Sequence, residues 1–162
     1  MIKDGEQIGM VIATNQPTNQ PTNVLFSRKT DEWSTPQELY DRLDDEFHFT
    51  LDPCATEENH KCSMYYTKEQ NGLEQDWEHQ IVFCNPPYSR IAEWTEKCYR
   101  EGCKDNTTVV MLIPSRTDTR YFHNFILNRA EIRFVKGRLR FGESTENAPF
   151  PSMIVIFRGA YA

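Results

Sequence analysis

Two apolar runs without a polar interruption, Ile81-Val82-Phe83-Cys84 and Val109 to Ile113, each stop at proline, the first at Pro86-Pro87 and the second at Pro114. A strand wet on one side alternates apolar with polar residues, so runs that do not alternate predict strands buried on both faces of a parallel sheet. Such a sheet needs one layer above it and another below. Helical periodicity offers candidates for both. Leu39, Leu43 and Phe47 recur at four-residue spacing, with Thr35 as N-cap, Pro36 as the first helical residue and Glu38 closing a capping box. Ser89 can cap a helix that turns Ile91, Trp94, Thr95 and Cys98 inward, and Asp118 can cap one that carries Phe122, Phe125 and Ile126.

Phe47, Phe49 and Leu51 alternate with polar residues, which predicts a strand running into Asp52. A short helical stretch from Glu57 to Cys62 and a weak strand at Tyr65 and Tyr66 are expected next. The chain closes with strand-like "EIRFV", "RLRF" and "SMIVIF". The predicted fold class is therefore α/β, with three layers and a mostly parallel sheet that ends in an antiparallel C-terminal strand. Sheets of this kind bind ligands beyond the carboxyl ends of their strands, at a switch in strand order. The loops at Asp52, Asn85 and Pro114, each following a predicted strand, should line one crevice.

Residues 1–31 include the near-repeat "TNQPTNQPTN" from Thr14 to Asn23, too polar to bury a core, and are expected to form a flexible tail. Residues 32–162 then make one domain. No apolar run approaches the roughly 20 residues of a membrane helix and no signal-peptide pattern opens the chain, so the expected location is the cytoplasm. Cys54, Cys62, Cys84, Cys98 and Cys103 are odd in number and hold no C-x-x-C pair, so free thiols and no metal are expected. A net charge of −6 argues against a protein that coats nucleic acid. From Val110 onward, however, basic residues outnumber acidic ones eight to four, so a C-terminal face can meet DNA locally.

The strongest chemical signal is Asn85-Pro86-Pro87-Tyr88, directly after a buried strand. Two prolines delete two backbone donors and stiffen the turn, a cost that needs a purpose. The Asn85 side-chain carbonyl and the Pro86 backbone carbonyl can accept the two hydrogens of an exocyclic amine, localising a lone pair otherwise delocalised into the ring. Tyr88 offers a flat face for a base taken out of the duplex. The tetrapeptide alone does not separate adenine N6 from cytosine N4 or from a protein glutamine amide.

In the order "WSTP", "FTLDPCAT", "NGLEQDW", "NPPY", "LIPSRTDT", "GRLRF" and "APFPSMIVIF", from about Trp33 to Phe157, the chain resembles the phage-type DNA N6-adenine methyltransferases. The resemblance implies a Rossmann-like methyltransferase fold, S-adenosylmethionine as cofactor, DNA as partner and a phage or prophage origin in a bacterial host. It implies cofactor contacts from Thr35 and Pro36 at the first helix start, from Asp52, Cys54 and Ala55 at the first strand, from Asp76, and from Asn85. Glu69 is a weaker candidate for the ribose hydroxyls. Catalysis falls to Asn85, Pro86, Pro87 and Tyr88. Substrate contacts are expected from Tyr88, Ser89, Arg116, Arg138, Arg140 and Phe141, with Phe150 competing with Phe141 for the flipped base. The glycine-rich turn usual after the first strand is replaced by Asp52-Pro53-Cys54-Ala55, where the small Ala55 can allow close approach.

No recognition domain is expected after the core motifs, so short or relaxed sequence specificity is expected, from a monomer or weak dimer. The rival readings are an amino-methyltransferase acting on RNA or protein glutamine, and a catalytically silent nucleic-acid or cofactor binder.

Overall fold

The computed structural model of the chain describes residues 33–159. The expected tail at residues 1–31 lies outside these. The described elements are α1 (Gln37–Phe47), β1 (Leu51–Asp52), β2 (Met64–Tyr65), β3 (Ile81–Cys84), α2 (Ile91–Gly102), β4 (Thr108–Pro114), β5 (Glu131–Phe134) and β6 (Ser152–Arg158). They build a 6-stranded sheet in the order β2-β1-β3-β4-β6-β5. The β1–β2, β1–β3 and β3–β4 pairs are parallel, whereas β6 runs antiparallel to both β4 and β5. This is the α/β Rossmann-like architecture expected.

Both faces of the sheet are covered, which is why β3 and β4 show no polar alternation. Successive side chains point to opposite sides. Phe83, Val110 and Leu112 face the layer containing Tyr40, Leu43 and Phe47 of α1. Val82, Cys84, Val109, Met111 and Ile113 face Trp94 and Cys98 of α2, together with Phe122 and Ile126. Burying each such Val, Leu, Ile or Phe contributes about 1.5–3 kcal/mol. The central strands are thus the anchor from which the loops at their carboxyl ends are hung.

Several local expectations are corrected. Phe47 fits both a period of four and a period of two, and the helical pattern wins. The helix α1 ends at His48 in the left-handed conformation (φ 58), its N–H bonded to the Asp44 carbonyl, while the Asp44 side chain accepts from the Phe49 N–H at 2.8 Å. Pro36, not Thr35, holds the N-cap position, and there is no capping box, because the Thr35 hydroxyl is engaged elsewhere. Residues 57–62 form bends rather than a helix, since the Lys61 N–H is drawn onto Asp52 at 2.9 Å. The helix α2 begins only at Ile91, with Arg90 rather than Ser89 at its cap position, because the tight turn Tyr88–Arg90 intervenes. After β4 the chain forms one π-helical segment, Phe122–Ile126, and Thr119 rather than Asp118 accepts the Phe122 N–H. "RLRF" is not a strand. Gly137, at φ 75, turns the chain out of the sheet, so residues 138–141 cross over its carboxyl end.

Candidate active site

The chain leaves β1 outward to β2 and then returns to β3 on the other side of β1, so the order reverses between β1 and β3. The crevice of an open α/β sheet lies at that reversal. Asp52 ends β1 and Asn85 follows β3, and because these strands pair in parallel, both residues stand at the same edge.

Asn85 is held by the segment that leads into α1. Its Nδ2 donates to the Trp33 carbonyl at 2.5 Å and to Thr35 Oγ1 at 3.0 Å. Its Oδ1 is buried and has no hydrogen-bond partner among the described residues. A buried carbonyl oxygen without a donor costs about 1–3 kcal/mol, so it needs a reason. Pro86 is buried beside it, and Pro87 is fixed at φ −61 and ψ 123, so the turn has little freedom.

Residues 33–35 tie the Asn85 turn to the loops at Asn59 and at residues 141–150. Ser34 Oγ accepts from Asn59 Nδ2 at 2.7 Å, and the Ser34 carbonyl accepts from the Gly142 N–H at 2.8 Å. Gly142 sits at φ 58, where a side chain would be strained. The Trp33 ring lies edge-on to Phe141 (5.1 Å between centroids) and to Phe150 (5.4 Å). Tyr88 meets the same two rings, Phe150 at 5.6 Å and Phe141 at 6.5 Å. Phe141 and Phe150 therefore share one aromatic box with Tyr88 and Trp33. The Tyr88 hydroxyl is buried without a partner among the described residues, and burial pushes its phenol far above the usual range.

On the β1 side, Asp52 is 5 % exposed and forms no salt bridge among the described residues. Its oxygens take the Lys61 N–H at 2.9 Å and the Cys54 N–H at 3.2 Å. Burial raises its pKa, against the lowering effect of those two N–H groups. Asp52 thus shapes the loop that follows β1 and leaves a buried carboxylate short of a counter-charge. Cys54 Sγ lies 3.6 Å from Cys84 Sγ, and burial pushes the Cys54 thiol up to about 11, so these are neutral packing groups. Ala55 is buried, with its N–H on the Tyr66 carbonyl. The Asp52-Pro53-Cys54-Ala55 turn is itself packed closely by Gly72, where a Cβ would lie 2.3 Å from the Pro53 carbonyl oxygen.

Two expected residues stand apart. Asp76 is exposed and paired with Lys104 at 2.7 Å, on the segments that enter β3 and β4 at their amino ends. It lies at the amino end of the strands, opposite the Asn85 turn, and is not brought together with Asp52 and Asn85. Glu69 lines a separate cleft of about 560 Å³ beyond β2, with Glu57, Tyr65 and Gln70. Ser89, Arg116, Arg138 and Arg140 are exposed. Arg140 is steadied by Asn147 at 3.1 Å and Arg138 by the Ala148 carbonyl at 3.5 Å. Sequence reasoning assigned no role to Trp33, Asn59 or Gly72. "WSTP" and "NGL" carried the signal for two of them, while the partner of Asn59 becomes visible only in the fold.

An Asn-Pro-Pro-Tyr turn at the switch point of this sheet, with its amide oxygen buried and unpaired, places the molecule among the amino-directed methyltransferases. Residues 22–161 match the family model described as DNA N-6-adenine-methyltransferase (Dam), and the chain belongs to that family. It is 33% identical over 141 residues to the DNA N-6-adenine-methyltransferase of Haemophilus phage HP1, a match covering 81% of this chain and 82% of that protein. It is 35% identical over 124 residues to the enzyme of the same name from Escherichia phage T1, covering 75% of this chain and 50% of that protein. A shorter match, 35% over 77 residues, joins it to the putative methyltransferase YfdM of Escherichia coli K12.

Proposed function

We propose that the protein transfers a methyl group from S-adenosylmethionine to N6 of adenine in DNA, with the target base turned out of the helix into the aromatic box. The observation that carries this reading is the unpaired, buried Asn85 Oδ1. Trp33 and Thr35 hold the amide NH2, so the oxygen is left for a donor from outside the protein, and an exocyclic amine is such a donor. The Pro86 carbonyl takes the second amine hydrogen. Two acceptors arranged in advance favour the pyramidal nitrogen of the transition state over the flat one of the free base.

When bound, S-adenosylmethionine supplies a methyl group already activated by its sulfonium, so no protein base of shifted pKa is required. The residues present fit this cofactor. The buried Asp52 carboxylate suits its ammonium group, and Thr35, whose oxygen already accepts from Asn85, keeps its proton to donate to a carboxylate at the start of α1. Cys54 and Ala55 line the approach. Tyr88 lends a ring face to the base, with Phe141 and Phe150 behind it. Arg116, Arg138 and Arg140 supply phosphate contacts at the rim, and Ser89 lies beside the entering base.

The family relationship supports DNA over other substrates, because the phage relatives are named for that activity. The test is transfer from methyl-labelled cofactor to duplex DNA, single-stranded DNA, RNA and protein in parallel, followed by nucleoside analysis. N6-methyladenine in DNA is the expected product. Label confined to RNA or protein would overturn the reading.

A further inference from the structure

We propose that Thr35 is a positioning residue for the reaction, acting through Asn85 by fixing which end of its amide faces the substrate. The inference rests on the proposed role of Asn85 as the amine acceptor.

A primary amide is nearly symmetric in shape, so turning it over exchanges an acceptor for a donor at almost no steric cost. In this site that exchange is ruinous. An NH2 group aimed at the substrate amine would set donor against donor. Asn85 therefore needs neighbours that reject the inverted form, and Trp33 and Thr35 are those neighbours. The Trp33 carbonyl can only accept, and it lies 2.5 Å from Nδ2. Thr35 Oγ1 stands 3.0 Å from the same nitrogen. Inverting the amide would press an oxygen against the Trp33 carbonyl, and against Thr35 Oγ1 as well once the hydroxyl proton is donated to the cofactor carboxylate, because the Thr35 oxygen can then only accept.

The fold holds this clamp rigidly. Thr35 is 5 % exposed and is followed by Pro36, whose φ of −55 and ψ of 130 set the entry into α1. The Trp33 ring is wedged against Phe141 and Phe150, and Ser34 is tied to Asn59 and Gly142. A hydroxyl in a helix-start motif normally serves its own helix. Here no side-chain cap bond is made, and the oxygen reaches across to the loop after β3 instead.

The experiment compares Thr35→Val, which keeps the shape and removes the acceptor, with Thr35→Ser, which keeps the acceptor. Thr35→Val should lower kcat by roughly three- to tenfold, the worth of one hydrogen bond, with KM for DNA changed less than kcat. Thr35→Ser should restore most of the rate. At saturating S-adenosylmethionine, which takes the loss of the cofactor contact out of the comparison, the Val substitution in an Asn85→Ala background should have almost no further effect on the residual rate, because nothing remains to orient. Equal losses in both backgrounds would mean that Thr35 serves the fold or the cofactor rather than Asn85, and would overturn the proposal. A readout independent of turnover is the 15N–1H resonance pair of the Asn85 side chain, assigned by its loss in Asn85→Ala. Both protons should exchange slowly in the wild type, and one should quicken in Thr35→Val but not in Thr35→Ser. Amide protons indifferent to Thr35→Val would overturn the proposal even in a protein that methylates DNA. A wild type with no adenine activity but with a Thr35-sensitive Asn85 amide would instead overturn the substrate reading alone.

Discussion

Tyr88 separates two ways in which an aromatic can serve a flipped base, because its ring and its hydroxyl sit in different surroundings. The hydroxyl is buried with no partner among the described residues, and burial raises its pKa so far that it is neutral at any working pH. An unsatisfied buried hydroxyl costs about 1–3 kcal/mol, so Tyr88→Phe should leave stability unchanged or raise it by about 1 kcal/mol. For a chain of this size that is a shift in Tm of about 2–4 °C. If only the ring face serves the base, Tyr88→Phe should keep kcat/KM on DNA within about twofold. Tyr88→Ala removes the stacking platform, worth about 1–3 kcal/mol per base. At about 1.4 kcal/mol per decade, that is a loss of roughly 5- to 150-fold in kcat/KM. Steady-state methylation of DNA and thermal melting of both variants give the two readings side by side. Tyr88→Phe as damaged as Tyr88→Ala would show that the hydroxyl, not the ring face, does the work, and would refute the stacking assignment.

Glu101 should be a stability determinant remote from the site, since it bonds Lys97 at 2.6 Å, Lys104 at 2.8 Å and the Trp77 N–H at 3.0 Å while buried. Glu101→Gln should cost about 2–3 kcal/mol in urea unfolding, because Lys97 loses its partner. Burial opposes ionisation of Glu101, but Lys104, Lys97 and the Trp77 N–H outweigh it and hold its pKa below 4.5. Its contribution is therefore present above pH 4.5 and lost as pH falls through the lower folded value, a loss that Glu101→Gln should abolish. Gly72→Ala would put a Cβ 2.3 Å from the Pro53 carbonyl, so it should destabilise by about 1–3 kcal/mol and weaken S-adenosylmethionine binding in calorimetry. DNA binding should be weak and salt-dependent, and Arg140→Ala should flatten the dependence of log Kd on log salt by about one unit; an unchanged slope would remove Arg140 from the phosphate contacts.

The layers were legible wherever burial forces an unambiguous pattern. Ile81–Cys84 and Val109–Ile113 are apolar throughout because both sheet faces are covered. Boundaries failed where one residue fits two patterns, as Phe47 does, or where a glycine takes the chain out of the sheet, as Gly137 does before "RLRF". At the crevice, the shared placement of Asp52 and Asn85 was readable because one ends a buried strand and the other directly follows one. Asp76 stands apart from them at the amino end of β3, because proximity in sequence to a strand says nothing about which end of it a residue meets. The clamp of Trp33 and Thr35 on Asn85 spans about fifty residues of chain, and a long-range hydrogen bond leaves no local periodicity to read.

The central claim is that Asn85 serves the substrate amine and not the cofactor. The direct measurement is the single-turnover rate of N6-methyladenine formation by Asn85→Ala, set beside its Kd for S-adenosylmethionine measured by calorimetry. Removal of one acceptor aimed at the transition state should lower the rate by about 10²–10³, by analogy with loss of an oxyanion-hole donor. The cofactor Kd should stay within a few-fold of the wild type. A variant that methylates adenine at near-normal rate, or one whose lost activity is matched by lost cofactor binding, would contradict the claim.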